Sequence, residues 1–568
     1  TLNYAFSGTG ALAGHTALVK RGSGMLTISN DNTYTGGTRI SGGTVSVNML
    51  SNSTRAYGGL GGVVESADLF VIENGATLRT TETVTQGSPM KMEGEDGGCV
   101  ENLKDFIIET PVEGTLLTKK GDGWMKLNTA CPSLERLALD GGTVQCVACD
   151  KPARTVEFRS GTLYENTGSS YAIHVPEGGS GTWSLANRST YTNKITGEGT
   201  LTIYCAVEHG NGWFATRTPV AVNLAQFTGT INATADMADT YPRFTLNTSS
   251  GMPDGTLNIA GGVTVQNTGR TFRIGKLAGK GALGGYASFA NDGATGVNTW
   301  QVGCDDDFTW AGTVTANSKF EKVGSGKMTV SGVWDNTGEV AVTEGTLCLN
   351  DRSAENAMLG SGELSVEDGA VLCGLGKLGN ASVTVEHGGR LYSGTREGAS
   401  SGALDFSGKR LTVSAGGEVM FNVASKVRCT TLEGISSFSL RGTLKVSVRE
   451  GLELEAGDEF QLWTANRTVL SSACTLDLDS PGEGLEWDTS ALEDGVLKVK
   501  TATGITGVVS GEPVDCVVYT LDGARAGYFT CMPSEVRVYM EENGFKSGMY
   551  MVKMTQGQRT VSRKVTVD

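Results

Sequence analysis

Proline and long apolar runs are what this sequence has least of. Only 11 of its 568 residues are Pro and 4 are His, against 81 Gly. Collagen-like order needs Gly at every third place with much Pro, so it is excluded; 39% hydrophobic residues also keep the chain out of the disordered class. No stretch reaches the ~20 apolar residues that cross a bilayer, so no membrane span is expected. Thr1 begins the chain without a charged stretch and apolar core behind it, the pattern of a mature or trimmed product. Basic clusters are absent and the net charge is −15, which argues against nucleic acid and anionic membranes as partners. Sustained helical periodicity is nearly absent as well: its longest candidate, Pro132 to Leu139, is too short for a dependable helix.

What remains is a pattern of short strands. Met25-Leu26-Thr27-Ile28, Thr143-Val144-Gln145-Cys146 and Ser382-Val383-Thr384-Val385 alternate polar with apolar or β-branched residues and lie between Gly, Asn or Asp turns, which predicts an all-β chain. The apolar residues are spread thinly along the chain, which suits a rod better than a globule. Twelve cysteines fit an oxidising compartment better than a reducing cytosol. Cys348 and Cys373 end similar strand-like runs about one repeat apart and are expected to sit one above the other. They form one candidate disulfide; Cys516 and Cys531, near the C-terminus, form another. Cys146-Val147-Ala148-Cys149 has the spacing of half a zinc site, but no second half follows at suitable spacing, so structural bridging is the better expectation.

The strands belong to an internal repeat. Ala17–Asn48 aligns with Lys319–Asn350 without a gap, placing Lys20, Gly22, Gly24, Gly43 and Thr44 on Lys322, Gly324, Gly326, Gly345 and Thr346. A third copy, Leu116 to Cys146, carries Lys119, Gly121, Gly123, Gly142 and Thr143 at the same places. One such unit cannot bury its own apolar face, so neighbours must stack. Coils of roughly 20–29 residues would give on the order of 20 coils and a rod of roughly 100 Å.

The segment Leu18-Val19-Lys20-Arg21-Gly22-Ser23-Gly24-Met25-Leu26-Thr27-Ile28-Ser29-Asn30-Asp31-Asn32-Thr33-Tyr34-Thr35-Gly36-Gly37-Thr38 resembles the passenger-associated transport repeat of bacterial autotransporter passengers. That resemblance implies a right-handed parallel β-helix exported to the cell exterior, often with adhesive roles. Gly457 to Trp463 and Leu485 to Ser490 look like the closing segments of such proteins, and the repeat region is expected over 1–502, closing from about 440. No run of barrel-forming strands follows. Instead Val517 to Gly523 and Ser547 to Met554 resemble the C-terminal sorting domain of type IX secretion cargo in Bacteroidetes, which implies a small β-sandwich over 503–568 and contact with the secretion machinery.

β-Helices also house polysaccharide lyases and hydrolases. A hydrolase needs paired carboxylates, usually beside a Gly-His-Gly element that this chain lacks; His15, His174, His209 and His387 are scattered. A lyase would want Arg-x-Pro-x-x-Arg, yet Arg217-Thr218-Pro219 is followed by Val222 where the second Arg belongs. No catalytic residue is therefore assigned and the chain is not expected to be an enzyme. Asp305, Asp306 and Asp307, between Trp300 and Trp310, are the candidate calcium ligands; the two tryptophans are candidate glycan-stacking faces. Trp124, Trp183, Trp213, Trp334, Trp463 and Trp487 read more readily as packing residues. Apart from calcium no cofactor is implied. The function expected is a secreted, outer-surface structural or adhesive rod, able to self-associate and to contact cell-surface glycans or other surface molecules. The alternatives are a polysaccharide-binding module and, further off, a polysaccharide-cleaving enzyme.

Overall fold

Strands stacked parallel and in register build most of the molecule. A computed structural model describes residues 2–165, 168–185, 191–205, 219–235, 243–246, 248, 250–267, 269–285, 298–315, 318–350, 359–502, 512–557 and 559–567. Met25–Ile28, Trp124–Leu127 and Lys327–Val330 are each four residues long, and their second and fourth side chains are buried, as the two-residue period of a strand requires. Each strand pairs with one a coil later: Leu26 lies beside Val45, Val45 beside Leu78 and Leu78 beside Val100. One sheet contains 18 strands, from Val84–Gln86 to Thr468–Leu470, and a second contains 15. Every pairing in these two sheets is parallel, so at about 4.8 Å per step the longer one extends about 80 Å. This is a parallel β-solenoid.

Stacking turns each inward position into a file of side chains. Phe106, Met125, Val144, Leu163, Trp183, Ile203, Ala233 and Ile259 follow one another in register, all buried. A single core cluster runs from Leu26 to Val499. The side chains fill the interior, so the solenoid has no lumen along these files.

The residues shared by the repeats meet at one corner. Lys119 stands in an interior file between Val100 and Leu139, and its Nζ donates to the carbonyls of Lys120 at 2.8 Å, Gly121 at 2.6 Å and Gly141 at 3.4 Å. Lys322 repeats this with Val323 at 2.9 Å, Gly324 at 2.7 Å and Glu344 at 3.1 Å. Lys20 does the same with Arg21, Gly22 and Gly42 in a more exposed setting. In each case the ammonium joins its own turn to the turn of the next coil. Burial pushes the Lys119 and Lys322 ammonium groups down to about 8, so both remain mainly charged at neutral pH. The glycine that follows is equally constrained: Gly142 has φ +60°, and a Cβ there would lie 2.3 Å from the carbonyl oxygen of Gly121.

The end of the stack is closed differently. Glu459–Gln461, Val496–Thr501 and Leu485–Asp488 pair antiparallel, and Phe460, Leu497 and Val499 join the core beneath them. Beyond it, a second core cluster gathers Val514, Cys516, Val518, Phe529, Val536, Met540, Val552 and Val565. Here the described residues form one four-stranded antiparallel sheet and a helix, Val536–Glu542, in place of the second sheet that a β-sandwich requires. Val536 and Met540, four residues apart, point the helix at that core. Seven residues are too few to carry a visible helical period, which is why an all-β reading passed over it.

Two substitutions test the corner. Lys322→Met keeps the side-chain length but leaves three carbonyls without their donor, and Gly142→Ala forces a side chain onto backbone oxygen. Each is expected to lower stability by about 1–3 kcal/mol, read as a lower urea midpoint for loss of the far-ultraviolet β signal; an unchanged midpoint would remove the corner's assigned role.

Candidate functional site on the outer face of the longest sheet

Outward positions also form files, and their chemistry differs between the sheets. On the 15-stranded sheet they are charged and cross-paired: Arg39 with Glu73 and Glu93 at 2.5 and 2.7 Å, Arg79 with Glu101 at 3.7 Å, and Arg136 with Glu157 at 3.7 Å. On the 18-stranded sheet the outward positions are uncharged on five consecutive strands, Thr143–Cys146 to Thr230–Ala235, and at Thr256 and Asn258 of the sixth, Met252–Ile259, where Asp254 is the one exposed charge. One file there reads Thr143, Thr162, Thr182, Thr202, Asn232, Asn258. Its flanking positions are Gln145, Tyr164, Ser184, Tyr204 and Thr234 on one side and Thr200, Thr230 and Thr256 on the other. Stacked like charges would repel at this spacing, whereas hydroxyls and amides bond along the file. Asn258 Nδ2 donates to Asn232 Oδ1 at 2.8 Å, and Asn232 Nδ2 to Thr202 Oγ1 at 3.3 Å.

An aromatic pair borders this neutral stretch. Trp124 precedes Thr143 in the same file, is 41% exposed, and stands 6.5 Å from the ring of Tyr164 at an interplanar angle of 50°. The position immediately after a Gly-x-Gly turn faces outward in this repeat, a signal present in the sequence once the alternation is anchored on Met125.

The tryptophans first marked as sugar platforms lie elsewhere. Trp300 and Trp310 are fully buried: Trp300 meets Phe272 edge-on at 5.9 Å, and Trp310 meets Trp334 at 5.9 Å. Their strand positions point inward, so neither offers a face to a glycan. Trp183, Trp334 and Trp463 are buried too, Trp487 packs on Phe460, and Trp213 lies outside the described residues, as do His209 and Arg217.

The acidic cluster does not converge. Asp305 accepts from Ser325 Oγ at 2.7 Å, Asp306 pairs with Lys276 at 2.6 Å, and Asp307 accepts the Lys327 backbone N–H at 2.7 Å. Lys276 holds the Asp306 carboxyl below its usual range. The three carboxylates are spent on three partners in neighbouring coils, which corrects their reading as calcium ligands; among the described residues no three His, Cys, Asp or Glu side chains gather as a metal site would need.

The cysteines carry free thiols among the described residues. Cys348 and Cys373 are direct register partners on adjacent strands, and the hydrogen bond between them lowers the Cys348 thiol and raises that of Cys373. Cys516 and Cys531 also hydrogen-bond, across the C-terminal sheet, while burial pushes Cys516 up to about 12. Cys146 bonds Cys149 inside the core.

One buried acid escaped the sequence reading. Glu165 occupies an inward file between Cys146 and Leu185 and is fully buried, accepting from Trp183 Nε1 at 2.7 Å and Ser169 Oγ at 3.0 Å. Burial raises its carboxyl to about 7, against the pull of those hydrogen bonds. Its register partners, Cys146 and Leu185, are not acids, and the cavity of about 240 Å³ lined by Tyr392, Ser393, Met420, Asn422 and Thr430 has Glu397 as the single carboxylate among its described lining residues, where a glycosidase uses two.

Compared with known proteins, residues 18–47 match the family model described as the passenger-associated-transport-repeat. That segment contains the pairs Leu18–Lys20 with Thr38–Ile40 and Met25–Ile28 with Thr44–Val47, so the matched repeat is a coil lying on its neighbour. The match bears out the resemblance to the repeat of secreted, surface-exposed passenger domains. No curated protein matches the chain.

The Glu165 carboxyl gives a pH test. Its folded value lies above that of an unfolded Glu, so its stabilising contribution is full below about pH 4.5 and is lost as pH rises through about 7, a difference on the order of 3 kcal/mol. Melting temperatures at about pH 5 and about pH 8 should differ less in Glu165→Gln than in the parent chain. Equal differences would mean that Glu165 is ionised throughout.

Proposed function

We propose that the chain is an exported surface rod, a parallel β-solenoid displayed outside a bacterial cell that works by lateral contact, structural or adhesive, rather than by catalysis. The observation that carries this reading is the continuous stack from Leu26 to Val499: its interior is filled by side chains, so its long outer faces are the surface available to partners. The passenger-type repeat at 18–47 supports export. The resemblance of Val517 to Gly523 and Ser547 to Met554 to type IX sorting tails supports reading the second core cluster as the part recognised by outer-membrane secretion machinery, with 1–502 as its cargo.

Electron microscopy of native material, with gold-labelled antibody on intact producing cells, tests this. Rods on the cell exterior are expected, lost when residues 512–568 are deleted. Label confined to the cytoplasm, or compact particles instead of rods, would sink the proposal.

Export also predicts a covalent outcome. In an oxidising exterior Cys348 and Cys373, adjacent and in register, are expected to cross-link, seen as a linked peptide pair in a non-reduced digest of surface material. Free, alkylatable thiols at both positions in that material would count against an oxidising destination.

A further inference from the structure

We propose that the neutral outer face between Trp124 and Asn258 binds an extended, uncharged polysaccharide lying along the stacking axis, with Trp124 and Tyr164 as its stacking platform and Thr202, Asn232 and Asn258 as hydrogen-bonding partners. The proposal rests on the reading of the chain as a surface rod and names the ligand of one face.

Three observations favour that occupant. First, the outward positions of five consecutive strands of this face, and Thr256 and Asn258 of the sixth, carry no charge, with Asp254 alone at the start of that sixth strand, although 19% of the chain is charged and the neighbouring sheet uses ion pairs on its outer face. A polymer that docks here gains nothing from carrying charge, and the −15 net charge of the chain repels polyanions. Second, Trp124 is 41% exposed while Trp183, Trp300, Trp310, Trp334 and Trp463 are buried. Its lean toward Tyr164 makes an aromatic patch reaching over two inter-strand steps, about 10 Å, comparable with one disaccharide. Sugar rings present C–H faces to such a patch and hydroxyls to its flanks. Third, the polar side chains are held in place before any ligand arrives. The Asn258, Asn232, Thr202 chain of hydrogen bonds fixes rotamers that would otherwise be ordered on binding, which reduces the entropic cost of association. A repeating row of hydroxyl and amide groups suits a polymer that repeats its own hydroxyls.

Affinity electrophoresis of the full chain in gels containing hydroxyethyl cellulose, glucomannan or xylan, with polygalacturonate as the anionic control, tests the proposal. Retardation by at least one neutral polymer is expected, insensitive to added salt and absent with polygalacturonate. Trp124→Ala and Tyr164→Ala should each weaken it about tenfold, some 1.4 kcal/mol, and Thr202→Asp should abolish it, with urea midpoints near that of the parent chain. Retardation by polygalacturonate alone, equal retardation of the aromatic variants, or no retardation by any neutral polymer would overturn it. So would sedimentation in which Thr202→Asp dissociates a parent dimer, because the face would then belong to a second copy. If rods decorate cells yet no neutral polymer is bound, the surface-rod reading stands and this ligand alone is lost.

Discussion

Registered parallel pairing is the constraint on which everything else in the solenoid depends. Because each strand lies about 4.8 Å from the corresponding strand of the next coil, every residue meets the residue at its own place in the repeat. Inward, that demands side chains that stack on their like, and the file from Phe106 to Ile259 supplies them. At the corners it demands backbone that fits under backbone, and Gly142 supplies it at a φ that other residues rarely adopt. A one-residue slip would exchange the inner and outer files together, so pattern and register enforce one another.

The same constraint dictates what the surface can be. A column of identical charges is untenable, and the molecule uses two remedies. The 15-stranded sheet pairs opposite charges across coils, Arg79 with Glu101 and Arg39 with the stacked Glu73 and Glu93, while the 18-stranded sheet, from Thr143 to Asn258, carries hydroxyls and amides that bond along the column. A rod with one ion-paired sheet and one sheet whose middle stretch is uncharged, between the ion-paired Lys126 and Lys276, follows from those remedies, and it offers different chemistry to different partners. Trp124 is the departure from the pattern: a large apolar ring left in water on a face otherwise made of polar ladders, which packing within the chain does not require.

Burial of polar groups follows from the filling of the interior. Lys119 and Lys322 reach from interior files to turn carbonyls, so their charge has three acceptors each. Glu165 has donors from Trp183 and Ser169 but remains costly to ionise. The lysines tie coils together as mainly charged groups at neutral pH, whereas the glutamate makes its coils respond to pH just below it.

Much of this was legible in the residues. Alternation in four-residue strands, glycine at fixed corners and the gapless alignment of Ala17–Asn48 with Lys319–Asn350 determine a stacked all-β repeat, because period-two patterns and positive-φ corners are local properties of the chain. The similar strand-like runs that end in Cys348 and Cys373, about one coil apart, likewise pointed to the register that the two cysteines share. What the tertiary structure alone decided is which side of each strand meets solvent. Trp300 and Trp310 look like a sugar platform around an acidic turn, yet inward registration buries both, and Asp305, Asp306 and Asp307 part toward partners some 20 to 30 residues away in sequence. Trp124 and Tyr164 are 40 residues apart in sequence and touch only because two coils bring them there. The short helix at Val536–Glu542 and the burial of Glu165 were likewise set by packing, since neither leaves a periodic trace long enough to read.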